Sequence, residues 1–137
     1  MLDFTNQRLT TTRSIGTSAE SLAQQYLEHQ GLSFIAKNYH CRRGEVDLIM
    51  EDKTTLIFIE VRYRKQVYYG QAFETISRKK QQKIIQTAKH YLHQHQLTES
   101  VSSRFDVIGI TSSSSRGLKY QSDKNGYSFD WITNAFY

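Results

Sequence analysis

Two carboxylates stand in this chain where a folded protein seldom tolerates them. Asp47 interrupts the apolar run Val46-Asp47-Leu48-Ile49-Met50, and Glu60 interrupts Leu56-Ile57-Phe58-Ile59-Glu60-Val61. A charge left unpaired inside an apolar strand costs several kcal/mol or forces its own neutralisation, so each acid needs a partner. A hard divalent cation is one such partner, because Mg2+ or Mn2+ accepts two carboxylates together with waters and a phosphate oxygen. Bound there, it would polarise a phosphodiester and lower the pKa of a coordinated water, which is chemistry for cutting a nucleic-acid backbone. Arg62, two residues beyond Glu60, shares its strand face and can meet the phosphate. The competing partners are internal: Arg42, Arg43 and Arg62 would pair with the acids and leave an ordinary charged hairpin.

Whether the two acids meet depends on the turn between their strands. Glu45, Asp47 and Ile49 share one face of the first strand, and Leu56, Phe58, Glu60 and Arg62 share one face of the second. A turn of two or four residues centred between Lys53 and Thr54 sets Asp47 opposite Glu60 and Glu45 opposite Arg62. A three-residue turn would send the acids to opposite faces. The apolar pattern favours the even turn, which also matches Ile49 with Phe58. Opposed β-carbons lie roughly 4.5–5.5 Å apart, so two bare carboxylates in this register repel each other.

The elements that must position this hairpin are legible on either side. Residues 1–13 are polar and without period, a tail ahead of a single domain over 14–137. From Ile15 to Gln30 the positions Ile15, Ala19, Leu22, Ala23, Tyr26 and Leu27 form one helical stripe. Thr17 and Glu20 have the spacing of a capping box, and Gly31 stands where a glycine ends a helix. Leu32–Tyr39 reads as a strand and Cys41-Arg42-Arg43-Gly44 as a basic turn. Strands over Glu45–Met50 and Leu56–Tyr63 form an antiparallel hairpin, followed by a loop from Arg64 to Ala72. A long helix runs from about Ser77 to Gln96 with Ile84, Ile85, Ala88, Tyr91 and Leu92 on its apolar face. Val101–Thr111 is a further strand, Ser112–Gly117 a polar tip, and the segments LKYQ and YSFDWI offer short strands. The order α-β-β-β-α-β gives an α/β protein with a mixed central sheet flanked by helices.

Composition narrows the partners. The 137 residues carry 18 Lys and Arg against 13 Asp and Glu, a balance that suits an anionic partner. The excess is local: residues 62–95 hold eight basic side chains against the single acid Glu74, leaving the rest slightly acidic. A solvated helix face would account for part of that window. The lone Cys41 rules out an intramolecular disulfide and any cysteine-rich zinc site. No apolar run approaches the roughly 20 residues that span a membrane, and the N-terminus has no apolar signal core. A cytoplasmic location without a membrane partner is expected.

The string GEVDLIM followed by LIFIEVR resembles the acid–acid-x-Lys signature of the PD-(D/E)XK nuclease superfamily. It is more similar still to the YraN-type family of small bacterial proteins, with a Holliday-junction-resolvase-like, restriction-endonuclease-like fold. Further family-like pieces are Gly16-x-x-x-Glu20-x-x-Ala23, Asn38, Phe73 to Lys80-Gln81, Arg104-Phe105-Asp106-Val107 and Asn134-Ala135-Phe136. Together they run in order from about residue 15 to the C-terminus. The resemblance implies that Asp47 and Glu60 hold Mg2+ or Mn2+, with Glu20 as an additional metal-holding acid. Glu20 has a competing use in the capping box. Arg42, Arg43, Arg64, Lys80, Gln81 and Lys83 are candidate nucleic-acid contacts, and the resolvase likeness implies a homodimer. One position departs from the signature: its lysine is Arg62 here. Arginine keeps its proton, so it can supply charge and paired hydrogen bonds to a phosphate but cannot act as a base.

Two functions follow from these readings. The first is a metal-dependent endonuclease acting on DNA, branched or structured DNA included, with Tyr68 and Tyr69 as stacking or packing residues. The second is a catalytically impaired nucleic-acid-binding module that keeps the nuclease fold.

Overall fold

The computed structural model describes residues 18–64, 76–112 and 126–137. Its elements, in chain order, are helix α1 (Ala19–His29), strands β1 (Ser33–Cys41), β2 (Gly44–Asp52) and β3 (Thr55–Arg64), helix α2 (Arg78–Gln94), and strands β4 (Ser102–Ser112) and β5 (Tyr127–Phe136). The expected α-β-β-β-α-β order is present with one long added strand, which takes up the YSFDWI segment. The 1–13 tail, Ile15, Thr17, Tyr68, Tyr69, the 112–117 tip beyond Ser112 and the LKYQ segment lie outside the described residues.

The five strands make one sheet in the order β1-β2-β3-β4-β5. Strands β1 to β3 form an antiparallel meander, β3 and β4 are parallel through the α2 crossover, and β5 returns antiparallel to β4. The sheet is therefore mixed. Alternation sends Leu48, Met50, Ile57, Ile59, Ile108 and Ile110 to one face, where Leu22, Ala23 and Leu27 of α1 cover them. On the other face Ile49, Leu56, Phe58 and Val107 meet Ile84, Ala88 and Tyr91 of α2. Each such aliphatic or aromatic side chain removed from water is worth roughly 1.5–3 kcal/mol, so both helices are held by their stripes.

The helix ends follow local chemistry. Gly31, at φ 104°, closes α1: Leu32 N–H donates to the Leu27 carbonyl and Gly31 N–H to that of Glu28, the paired arrangement that a left-handed residue after a helix permits. The N-terminus corrects the sequence reading. Ser18, not Thr17, is the cap, its Oγ accepting from Ser21 N–H at 3.2 Å. Glu20 is then the second helical residue, one place short of the third position that a capping box requires. At α2 the expected start holds: Ser77 Oγ accepts from Lys80 N–H at 3.1 Å.

The β2–β3 turn is the two-residue case. Asp52 pairs with Thr55, so Lys53 and Thr54 alone connect the strands, with Lys53 at φ 58°. The even-turn register holds through Met50–Ile57, Ile49–Phe58 and Leu48–Ile59.

Candidate metal centre

The hairpin changes character one residue beyond Leu48 and Ile59, where its ladder ends. Continuing the register sets Asp47 level with Glu60, but the strands no longer pair there. Two observations explain the break. Val46 joins Ile49 on the α2 side of the sheet, although residues three apart on a regular strand point to opposite faces. Alongside, Asn38 of β1 adopts φ 54° between the pairs Lys37–Leu48 and Tyr39–Val46. Asparagine tolerates this left-handed conformation better than most residues. The pleat is thus interrupted in both strands at the level of Asp47. Val61 N–H, which a regular ladder would give to a β2 carbonyl, donates instead to Asp47 Oδ2 at 2.8 Å.

This opening places Asp47 among other acids. Burial is the largest influence on its carboxyl and the Glu60 carboxylate the next; Glu20 and Glu45 push the same way, and the Val61 N–H opposes them. The net effect raises its pKa to about 7. The sequence register therefore brings Asp47 and Glu60 into electrostatic reach, and Glu20 reaches the same place from α1. Among the described residues, no three His, Cys, Asp or Glu side chains converge closely enough to enclose a metal ion.

Glu60 is buried, and its partner comes from across the sheet face. Lys80 Nζ, in the first turn of α2, lies 3.0 Å from Glu60 Oε2 while its own side chain stays half exposed. Strand β3 and helix α2 thus share a carboxylate–ammonium pair at the mouth of the hairpin. Beside it, Gly44, Glu45, Ser77, Lys79, Lys80, Lys83 and Ile84 line a cleft of about 370 Å³. The backbone must come close here. A β-carbon on Gly44, at φ 153°, would sit 3.2 Å from Thr87 Oγ1 and 3.3 Å from Lys83 Cβ.

The remaining candidates divide. Arg42 and Arg43 form the two-residue turn closed by the Cys41–Gly44 pair, and both are exposed. Arg62 and Arg64 are half buried near the end of β3. Lys83 is free of ion pairs among the described residues and borders the cleft. Gln81 is used locally: its Nε2 donates to the Ile76 carbonyl at 2.9 Å and its Oε1 accepts from Arg78 Nη1 at 3.0 Å. Its amide braces the start of α2, which leaves it less suited to a ligand than its neighbours.

Sequence reasoning missed two features. It gave Lys80 to a phosphate and not to Glu60, because nothing in a linear spacing of 20 residues announces that contact. It also passed over Asp106, a wholly buried carboxylate on β4. Arg104 Nε and Nη2 donate to it, as do Trp131 Nε1 at 2.9 Å and Asn134 N–H at 2.9 Å. The signal was available: Phe105-Asp106-Val107 is another acid inside an apolar strand. Its full complement of donors makes it structural.

Comparison with known proteins agrees with the extent of this arrangement. The family described as "Uncharacterised protein family UPF0102" matches residues 19–110, from the start of α1 to within two residues of the end of β4. The chain belongs to the UPF0102 family. A UPF0102 protein of Psychromonas ingrahamii is 47% identical over 128 residues, covering 93% of each chain. That of Nitrosococcus oceani is 43% identical over 126 residues, covering 92% of this chain and 94% of its own. That of Saccharophagus degradans is 42% identical over 121 residues, 88% and 91% respectively. The UPF0102 match spans Glu20, Asp47, Glu60, Arg62 and Lys80. It stops before β5, which supplies Trp131 and Asn134 to Asp106.

Proposed function

We propose that this UPF0102 protein is a metal-dependent endonuclease of the PD-(D/E)XK type acting on DNA phosphodiester bonds. The observation that carries the reading is the Asp47 carboxyl, buried in the sheet and set beside Glu60. A carboxyl raised to about 7 by burial and by Glu60 is a place where a positive charge is wanted. The donor set is oxygen only, which fits Mg2+ or Mn2+ and not a soft metal. Asp47 and Glu60 would hold the ion together with waters; Glu20, which acts on Asp47 only at a distance here, would have to swing in to add a further oxygen. When bound, the ion supplies charge to polarise the phosphate and to activate water.

The chain's own groups account for the rest. Val61 N–H fixes one oxygen of Asp47 and leaves the other for a ligand. Arg62, on the Glu60 face of β3, offers a permanent charge and a fork of donors to a phosphate oxygen. Lys80 neutralises Glu60, and its half-exposed ammonium would also be within reach of a phosphate at the cleft.

Purified protein is expected to nick branched or single-stranded DNA with Mn2+, and Asp47→Ala or Glu60→Ala should abolish this. Cleavage indifferent to both substitutions would sink the assignment. A second reading, a binding module that has lost cleavage, is favoured by one feature, the arginine at position 62 in place of lysine. Arg62→Lys separates the two. A gain in rate at unchanged DNA affinity identifies the arginine as the brake on a working nuclease.

A further inference from the structure

A second cavity, of about 700 Å³, opens on the other side of the β1–β2 turn, lined by His40, Cys41, Arg42, Arg43 and His90. No acid borders it. We propose that it is a phosphate subsite for the DNA strand at some distance from the cleaved bond, an extension that rests on the nucleic-acid reading above.

The turn that carries the two arginines is fastened to α2 at three points. Gly44 lies so close to Thr87 and Lys83 that a side chain of its own would push its neighbours aside by a few tenths of an ångström. Cys41 Sγ is 4.0 Å from Thr87 Oγ1 and accepts from Arg43 N–H at 3.4 Å. Tyr39 Oη and His90 Nδ1 are 2.6 Å apart. That contact engages Nδ1 of His90 and leaves Nε2 as the ring nitrogen that Tyr39 does not touch. Two arginines and two histidines therefore border a single opening on a turn packed against the helix. That is a preorganised set for a phosphate, which guanidinium groups bind with paired hydrogen bonds.

The helix relates this opening to the carboxylates. Lys83, bordering the first cleft, and His90, bordering the second, are seven residues apart and fall on nearly the same stripe of α2. Two helical turns separate them by about 10 Å. Phosphates on one strand of a duplex advance roughly 3.4 Å per nucleotide along the axis, so a helix rise of that size corresponds to a spacing of about three nucleotides between a phosphate at Lys83 and one at His90. Lys80, Lys83, His90 and the two arginines then follow one strand along the helix.

The test is binding of a fluorescein-labelled 12-nucleotide single-stranded DNA to the full chain in EDTA, over a range of salt concentrations. Arg42→Ser/Arg43→Ser, at exposed turn positions, should weaken binding tenfold or more at low salt. It should also make the log–log salt slope shallower by about 1.4, at roughly 0.7 per lost single-strand contact. Lys37→Ser/Lys53→Ser removes the same charge away from the cavity and should leave the slope unchanged. An unaltered slope for the arginine pair, an equal change in the control, or no binding by the parent chain overturns the proposal. Because EDTA prevents metal-dependent hydrolysis, failure of the nuclease reading would show separately, as absence of Mn2+-dependent cleavage in the parent chain.

Discussion

At the scale of single residues, Asp47 is a destabilising group whose removal should strengthen the fold. An unfolded aspartate titrates near 3.9, whereas the folded carboxyl holds its proton to about 7. Below the lower value both states are protonated and nothing is lost. Between the two the folded state binds the extra proton, so stability falls as pH rises, and above 7 the full penalty is present. Asp47→Asn can still accept from Val61 N–H but carries no charge. It should raise the melting temperature at pH 8, by a gain on the order of 1–2 kcal/mol once solvent screening is allowed for. The difference from the parent should vanish near pH 4. Parallel melting curves across that range would mean that the site does not strain the fold. Lys80→Ala is the counterpart. Deleting the ammonium leaves Glu60 buried without its ion pair, which should cost about 1–2 kcal/mol, between the exposed and buried limits for such pairs. Yet it should tighten Mn2+ binding severalfold in calorimetric titration, since the competing cation is gone. Weaker Mn2+ binding in that variant would show Lys80 to be part of the metal environment and not its substitute.

At the scale of elements, strand β5 is fastened by Asp106. Asp106→Ala strips the acceptor from Arg104, Trp131 and Asn134 together. It should cost about 3–5 kcal/mol, as expected when one partner of a buried charge pair is deleted. Trp131 is the sole tryptophan, so indole fluorescence in a urea titration reports that strand directly. Gly44→Ala tests the other fastening. Both its φ of 153° and the contacts at 3.2–3.3 Å oppose a methyl group, and a loss of about 1–3 kcal/mol follows. The elements themselves were largely legible in the sequence. The stripes of α1 and α2, the Gly31 stop and the even parity of the β2–β3 turn rest on local periodicity and local turn chemistry, which a linear reading captures, whereas parity does not choose between two residues and four. The site was legible in part: strand parity sets Asp47 level with Glu60. The interruption of the pleat at Asn38 and Asp47 depends on two adjacent strands at once. The arrival of Lys80 depends on how the crossover helix lands on the sheet. Neither is a property of any short window. The sequence reading starts the helix at Ile15 with Thr17 in a capping box, whereas α1 begins at Ala19 behind a Ser18 cap; serine and threonine are both good caps, so the spacing alone does not choose.

At the scale of the whole molecule, the positive charge is gathered along α2 and the β1–β2 turn, while acids cluster at the open end of the hairpin. DNA binding should therefore fall steeply with added salt as several phosphate contacts release counterions. A flat salt dependence would place recognition elsewhere. Among the described residues no helix is long and apolar enough to cross a membrane.

Each strand lies beside its neighbour in sequence, and this bears on how the molecule assembles. Pairing of near neighbours closes short loops and lowers contact order, which speeds folding. The hairpin bearing both carboxylates is closed by contacts spanning only some twenty residues. Lys80 reaches Glu60 only after the crossover has docked. For an interval during folding the two acids face each other without a counter-charge. Divalent cations present at that stage should accelerate refolding in stopped-flow experiments, and the Asp47→Asn variant should refold quickly without them.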